Sequence, residues 1–185
     1  MNTIVTSRED ILKNSREVLR QQGFDKFSIR TVAMQSGIAV GSIYHYFQSK
    51  TELLCAVTES IWYEIFHHYE SLKEMNDTIQ CIDWIWECLQ YGQKQYPDFI
   101  TYHHLLFENN AKDTAKQMMK EKKDHIAAQF SRIMEQDPHL RHNAFDYEFT
   151  PDMFAELLLT LLISAVRNQT SSVEPIHKLV KRTIY

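Results

Sequence analysis

Apolar residues recur at helical spacing near the start of the chain, and short polar breaks containing glycine separate these repeats. Five residues fall on one face of the first helical repeat: Ile11, Leu12, Ser15, Val18 and Leu19. Ser7 and Asp10 precede this face at the spacing with which side chains cap a helix N-terminus. Gly23 suits the position that ends such a helix, so the pattern predicts a helix between Ser7 and Gly23.

The pattern predicts two shorter helices after the first. Ser28 is a good N-cap for the earlier one. Its inward face would consist of Ile29, Val32 and Ala33. Gly37 supplies the positive φ of a tight turn, and the next helix is expected over residues 40–47. Two short helices joined by such a turn, after a longer helix, are the arrangement of a helix-turn-helix DNA reader.

The rest of the chain is also patterned as helices. Their expected ranges are 50–73, 77–95, 99–108, 113–136, 150–168 and from about 172 onward. Four glycines and four prolines occur, where average usage in 185 residues would give about 22 of the two together. This scarcity of turn residues argues against a sandwich or barrel. We predict an all-α fold, with an N-terminal three-helix helix-turn-helix domain followed by a C-terminal helical bundle.

The net charge also differs between the predicted helix-turn-helix domain and the rest of the chain. Residues 1–50 carry seven lysines and arginines against four acidic residues, a net charge of +3. Residues 51–185 carry thirteen against twenty, a net charge of −7. We therefore expect a basic DNA-binding domain over residues 1–50 and a second, acidic domain over residues 51–185.

Three runs of residues carry a specific motif: Ser28 to Ala33, Ser36 to Phe47, and Ser49 to Leu54. They combine Gly-hydrophobic, Tyr-x-x-Phe and Ser-Lys-x-x-Leu at fixed spacings. Together they closely resemble the N-terminal domain of TetR-family transcriptional regulators over about residues 7–55. Ala39 departs from the family pattern, which commonly has a Ser or Thr cap there, and this weakens the third helix's N-terminus.

The resemblance implies a DNA-reading surface on the second and third helices. Tyr44, His45 and Tyr46 spread over roughly 200° of a helix, so at least two face outward, where they can bond phosphates or bases. Lys50 can reach a phosphate beside the positive end of a helix dipole. The residues expected to contact a double-stranded DNA operator are Ser28, Arg30, Thr31, Val40, Gly41, Ser42, Tyr44, His45, Tyr46 and Lys50.

TetR relatives bind small effectors in the C-terminal domain, so the resemblance also implies a pocket lined by aromatic residues with a few polar groups. The candidate lining residues are Trp62, Phe66, Trp84, Gln90, Tyr91, Phe99, Tyr102, His103, Phe107, Met118 and Phe130. For any one of these residues, plain core packing is the alternative. No basic cluster stands out here, which favours a hydrophobic or aromatic effector over an anion.

The expected helix over 150–168 is apolar around most of its circumference, with a polar stripe of Glu156, Thr160 and Ser164. Such a helix is either fully buried or faces a partner. TetR relatives dimerise through their last two long helices, which correspond to this helix and the next. The resemblance therefore implies a homodimer whose interface includes Leu158, Leu162 and Val166.

Two other function classes remain as alternatives to a ligand-released repressor. One is a DNA-binding adaptor that acts through a protein partner without an effector. The other is a helical metal-dependent enzyme, since carboxylates and histidines lie four residues apart at 64/68, 104/108 and 121/125. No His-Glu-x-x-His motif or glycine-rich phosphate loop occurs, so we expect no metal, no other cofactor and no catalysis. The sequence shows no signal peptide or membrane-spanning stretch, which predicts a cytoplasmic protein without a membrane partner.

Overall fold

Every regular element is a helix in the part of the chain that the computed structural model describes, residues 6–66, 75–97, 99–101 and 113–185. Within 113–122 the description covers the backbone only. The helices are α1 (Arg8–Gln22), α2 (Ile29–Ser36), α3 (Val40–Tyr46), α4 (Lys50–Ile65), α5 (Thr78–Gln95), α6 (Asp113–Gln136), α7 (Pro151–Arg167) and α8 (Glu174–Ile184). The predicted all-α fold is confirmed.

The chain forms two compact units. The first consists of Met1–Ile65 and Gly92–Lys116, and the second of Phe66–Tyr91 and Gln117–Tyr185. The helix α4 therefore groups with the three N-terminal helices. The functional division at residue 50 stays a prediction.

Some helix ends differ from the expected ranges. α4 ends at Ile65, whereas the apolar pattern predicted a helix to residue 73. Residues 67–74 lie outside the described part of the chain, and of the helix expected over 99–108 the description reaches residues 99–101, which are helical. Apolar periodicity marks the middle of a helix better than its end, because the pattern itself contains no stop signal.

Side-chain caps and a glycine fix the ends of α1 and α2. The Ser7 hydroxyl accepts a hydrogen bond from the Asp10 N–H at 3.1 Å, and the Asp10 carboxylate accepts one from the Ser7 N–H at 3.0 Å. The same reciprocal arrangement joins Ser28 and Thr31. Gly37, with φ 65° and ψ 28°, ends α2 in the left-handed conformation. The predicted caps at Ser7 and Ser28 are confirmed, each worth about 1 kcal/mol to its helix.

Apolar side chains from four helices form the core of the first unit. Those with no solvent exposure include Ile11, Val18, Val32, Ile43, Phe47 and Leu53. Each side chain of this size stabilises the fold by about 1.5–3 kcal/mol when fully buried. This small core holds α1, α2 and α3 together.

A buried carboxylate organises the second unit. Asp137, just beyond α6, accepts hydrogen bonds from the Thr78 N–H at 2.8 Å, the Tyr185 hydroxyl at 2.7 Å and the His139 N–H at 2.9 Å. Burial alone would raise the pKa of Asp137, but these three donors outweigh burial and lower it. The ionised side chain therefore ties the start of α5 to the end of α8.

The face of α7 that the sequence predicted to form the dimer interface lies in the interior of its own chain. Leu158 and Leu162 have no solvent exposure and Val166 is buried, so these residues pack within their own chain. The prediction that they form a dimer interface is wrong for this face. Residues at i, i+4 and i+8 share one side of a helix, and here that side faces the core. The large apolar side chains that α7 exposes are Met153 and Leu157.

No helix among the residues placed by the structure is both long enough and apolar enough to cross a lipid bilayer.

Candidate nucleic-acid interface

The short helix α3 has one buried face and one solvent face. Ile43 is buried in the core, and Phe47, which follows the helix, is buried beside it. Val40 and Tyr44 lie four residues apart and are both exposed, Tyr44 with 51 % of its surface. His45 is exposed next to Tyr44. The buried pair therefore orients the helix so that a phenol and an imidazole face solvent, as the sequence predicted.

The first turn of α3 is small and open. An added Cβ at Gly41 would meet no atom within 4 Å, so this position leaves free space above the helix. The Ser42 N–H donates to the Ala39 carbonyl at 2.9 Å, which begins the helix. Ala39 provides no side-chain cap. The exposed backbone at this end can approach a large ligand closely because no bulky side chain covers it.

Tyr46 differs from the other two polar aromatics of α3. Its hydroxyl donates a hydrogen bond of 2.6 Å to the Thr6 carbonyl, just before α1. Its ring meets the His45 ring edge-on at 5.4 Å. The side chain is partly buried, so a bond within the protein already uses the hydroxyl proton that the sequence assigned to DNA.

The N-terminal turn of α2 lies in the same unit and carries three predicted contact residues. The Ser28 and Thr31 hydroxyls cap the helix and lie 3.1 Å apart. The Thr31 hydroxyl also donates to the Ser28 carbonyl at 2.8 Å. Arg30 is exposed between them. Arg30 is thus the side chain of this turn that can reach a phosphate, while Ser28 and Thr31 mainly hold the turn in shape.

Lys50 is exposed at the first residue of α4. The Ser49 hydroxyl accepts a hydrogen bond from the Glu52 N–H at 3.1 Å, and the Glu52 carboxylate accepts one from the Gln48 N–H at 2.8 Å. These bonds fix the start of α4. The Lys50 ammonium therefore stands at a helix N-terminus, where it and the helix dipole both favour an anion.

The seven lysines and arginines of residues 1–50 fall into two groups. Arg16 and Arg20 both pair with Glu64 of α4 and are mostly buried. The others are exposed: Arg8, Lys13, Lys26, Arg30 and Lys50. The pairing of Arg16 and Arg20 with Glu64 therefore leaves five of the seven cations in residues 1–50 exposed.

The aromatic residues predicted to line a pocket are divided between the two units. In the first unit, the Trp62 and Phe99 rings lie 5.3 Å apart, and both side chains are buried. In the second, Phe66 and Trp84 lie 5.6 Å apart. Each pair is a packed aromatic contact of the kind found in cores and pockets alike.

Other predicted pocket residues lie elsewhere. Gln90 is exposed and Tyr91 has 44 % of its surface exposed, so the structure places neither in an enclosed site. Phe130 is buried in the second unit. Tyr102, His103, Phe107 and the side chain of Met118 lie outside the described residues.

Sequence reasoning missed the most elaborate polar cluster of the first unit. Glu64 accepts hydrogen bonds from Arg20 and from the Tyr96 hydroxyl, the latter at 3.0 Å. Burial, followed by the Glu64 charge, raises the pKa of Tyr96, so this hydroxyl stays protonated and donates. The available signal was a pair of arginines one helical turn apart, Arg16 and Arg20, beside the apolar face of α1.

No group of three or more potential metal ligands occurs among the side chains that the structure describes. Glu64 binds two arginines and a tyrosine, and the histidine four residues later with which the sequence paired it lies outside the described residues. Such an arrangement suits a structural contact between helices.

Comparison with known proteins identifies the N-terminal segment. Residues 11–57 match the family model described as bacterial regulatory proteins, tetR family. The uncharacterized HTH-type transcriptional regulator YvdT of Bacillus subtilis (strain 168) is 40% identical over 65 residues, which span 35% of this chain and 32% of that protein. The chain thus matches about a third of that relative's length.

Solved structures extend the similarity to the whole fold. A TetR transcription regulator from Haloarcula marismortui ATCC 43049 has a TM-score of 0.73 at 13% identity, covering 96% of this chain and 97% of the other. The transcriptional regulator FadR from Bacillus subtilis, in complex with stearoyl-CoA, has a TM-score of 0.62 at 17% identity, covering 90% of each chain. At these identities the likeness establishes the fold.

Proposed function

We propose that this chain is a TetR-type transcriptional repressor that binds a pseudo-palindromic operator as a homodimer and is released by a small hydrophobic effector. The family consists of transcription regulators rather than enzymes. The observation that carries the proposal is the solvent face of α3, with Tyr44 exposed over a rigid core.

Three elements supply complementary contacts to DNA. The α3 residues Tyr44 and His45 present donors and rings suited to base edges and thymine methyls in a major groove. Arg30 of α2 and Lys50 of α4 supply charges for the phosphates on either side. Phosphate contacts fix the register of the helix, and the α3 side chains then read the sequence.

A second copy is proposed to dock on the outer surface of α7 and α8. Exposed apolar side chains occur there at Met153, Leu157 and Leu179. Acidic residues flank them on α7, at 152 and 156, and basic residues flank them on α8, at 178, 181 and 182. Two copies related by a twofold axis can therefore bring opposite charges together around an apolar centre.

The effector site is proposed beside Trp62 and Phe99, whose buried rings provide an apolar lining in the same unit as α3. A structural relative, FadR, was solved in complex with stearoyl-CoA, which supports a ligand with a large apolar part. An effector releases DNA only if it binds the non-binding conformer more tightly, and a tenfold release requires about 1.4 kcal/mol of that difference.

Selection of duplexes from a random-sequence pool with the wild-type protein tests the DNA-binding proposal. We expect an inverted repeat whose half-site centres lie about 34–36 Å apart, or a multiple of that spacing. Sedimentation of the DNA-free protein at micromolar concentration should give a dimer. Failure to enrich any motif, or a DNA-free monomer, would contradict the proposal.

A thermal-shift screen with hydrophobic and aromatic compounds identifies the effector, because a ligand of the native state raises the melting temperature. Its affinity is then measured with and without the selected duplex. Linkage requires the duplex to weaken effector binding by the same factor by which the effector weakens duplex binding. Equal affinities would rule out allosteric release and favour an adaptor that acts through a protein partner.

A further inference from the structure

Both ends of α1 are held by side-chain contacts from other helices. At its start, the Tyr46 hydroxyl at the end of α3 donates to the Thr6 carbonyl at 2.6 Å. Two residues later, at the first residue of α1, the Arg8 guanidinium lies over the Phe47 ring, 5.2 Å from its centre. The last turn of α3 and the first turn of α1 are therefore joined by a hydrogen bond and a cation–π contact.

At the other end, two arginines of α1 converge on one carboxylate of α4. The Arg16 Nε lies 3.3 Å from one Glu64 oxygen, and Arg20 bonds the other oxygen. The Tyr96 hydroxyl donates to the same carboxylate at 3.0 Å, and the Arg20 guanidinium lies 4.8 Å above the Tyr96 ring. Glu64 thus binds α1 and the segment after α5 at the same time.

An aromatic contact reinforces this junction. Phe99 follows Tyr96 closely and lies 6.3 Å from the Phe24 ring, just beyond the end of α1. It also lies 5.3 Å from Trp62 of α4. A displacement of the Tyr96–Phe99 segment would therefore disturb α1 and α4 together, through polar and apolar contacts at once.

We propose that α1 is a lever that connects the Tyr96–Glu64 junction to the recognition helix α3, and that Glu64 and Tyr96 are positioning residues for operator binding. This rests on the proposed DNA-binding function. The contacts at the two ends are 12 residues apart along α1, from Arg8 to Arg20, or roughly 18 Å of helix. A helix transmits a tilt over this length because its backbone hydrogen bonds resist bending.

Glu64→Gln tests the junction, because the amide keeps the size of the side chain and removes its charge. We expect affinity for the duplex selected with wild-type protein to fall about fivefold or more, which is the lower range of couplings between distant sites. The salt dependence of binding should not change, since Glu64 contacts no phosphate. Tyr96→Phe, which removes one hydroxyl and keeps the ring over Arg20, should give a smaller loss of the same kind.

The matched control is Glu17→Gln. Glu17 pairs with the same Arg20 at 3.5 Å, but both residues belong to α1, so this pair joins no second helix. We expect operator affinity to stay within about twofold of the wild type. A lowered melting temperature for Glu64→Gln and Tyr96→Phe with operator affinity unchanged would show that the junction only stabilises the fold, and would overturn the proposal.

A double-mutant cycle with Tyr46→Phe then tests the lever itself. Two substitutions this far apart normally act independently, so the loss of affinity in the double variant equals the product of the two single losses within about twofold. If both ends act through α1, the double variant should retain at least threefold more affinity than the product of the single effects predicts. Independent effects would overturn the lever and assign Tyr46 to direct DNA contact. Wild-type protein that enriches no duplex at all would instead refute the proposed function.

Discussion

The helices α3 and α7 show that two apolar patterns can differ in how well they predict which face of a helix is buried. In α3 a single buried residue, Ile43, sits among polar and aromatic ones, and the solvent face follows from that asymmetry. In α7 apolar residues occupy most positions, and the buried face proved to be the one assigned to a partner. A pattern predicts orientation when its two faces differ in chemistry, and α7 offers little such difference.

The largest expected effect is a loss of stability from a charge on the buried face of α7. Leu162→Asp places an unpaired carboxylate at a position without solvent exposure and leaves a void, at a cost of several kcal/mol. We expect unfolded or insoluble protein, measured by circular dichroism and by recovery in the soluble fraction. A soluble, folded monomer would show that Leu162 does face a partner.

Leu157→Asp is the matched change on the outer face of the same helix. Leu157 has 49 % of its surface exposed, so the folded monomer should tolerate the charge. We expect a folded protein whose dimer dissociates at higher concentration than the wild type in sedimentation experiments. A dimer as tight as the wild type would remove α7 from the proposed interface.

Local chemistry explains which parts of the fold could be predicted from the sequence. The caps at Ser7, Ser28 and Thr150 and the left-handed Gly37 are each determined by residues within three or four positions. The Arg20–Glu64 pair joins positions 44 residues apart, and no local pattern specifies it. The exposed face of α3 that we propose reads DNA was therefore accessible from the sequence, whereas the junction that we propose positions it was not.

The next effect concerns the exposed face of α3. Tyr44→Ala should weaken binding to the selected duplex by about 1–3 kcal/mol if the phenol contacts a base, without a change in melting temperature beyond that of a surface substitution. Tyr147→Ala, at a loop tyrosine with 89 % of its surface exposed, is the control and should bind normally. Fluorescence anisotropy at fixed salt measures both. Equal affinities for the two variants would place the reading surface elsewhere.

The smallest expected effects are changes in the free energy of unfolding at the N-termini of α2, which has a side-chain cap, and α3, which has none. Ser28→Ala removes the α2 cap and should lower the free energy of unfolding by about 1 kcal/mol. Ala39→Ser supplies the acceptor that α3 lacks and should raise it by up to about 1 kcal/mol. Urea unfolding followed by circular dichroism measures both changes. A destabilising Ala39→Ser would mean that the α3 N-terminus cannot accept a cap in its present geometry.

Photo-crosslinking measures whether α3 lies against the bases of the operator, as we propose. The selected duplex is prepared with 5-bromouracil in place of thymine, bound to the wild-type protein, irradiated, and digested with trypsin. We expect crosslinks in the peptide covering residues 31–50, which contains α3. Crosslinks confined to peptides from residues 78–185, with the 31–50 peptide recovered unmodified, would contradict it.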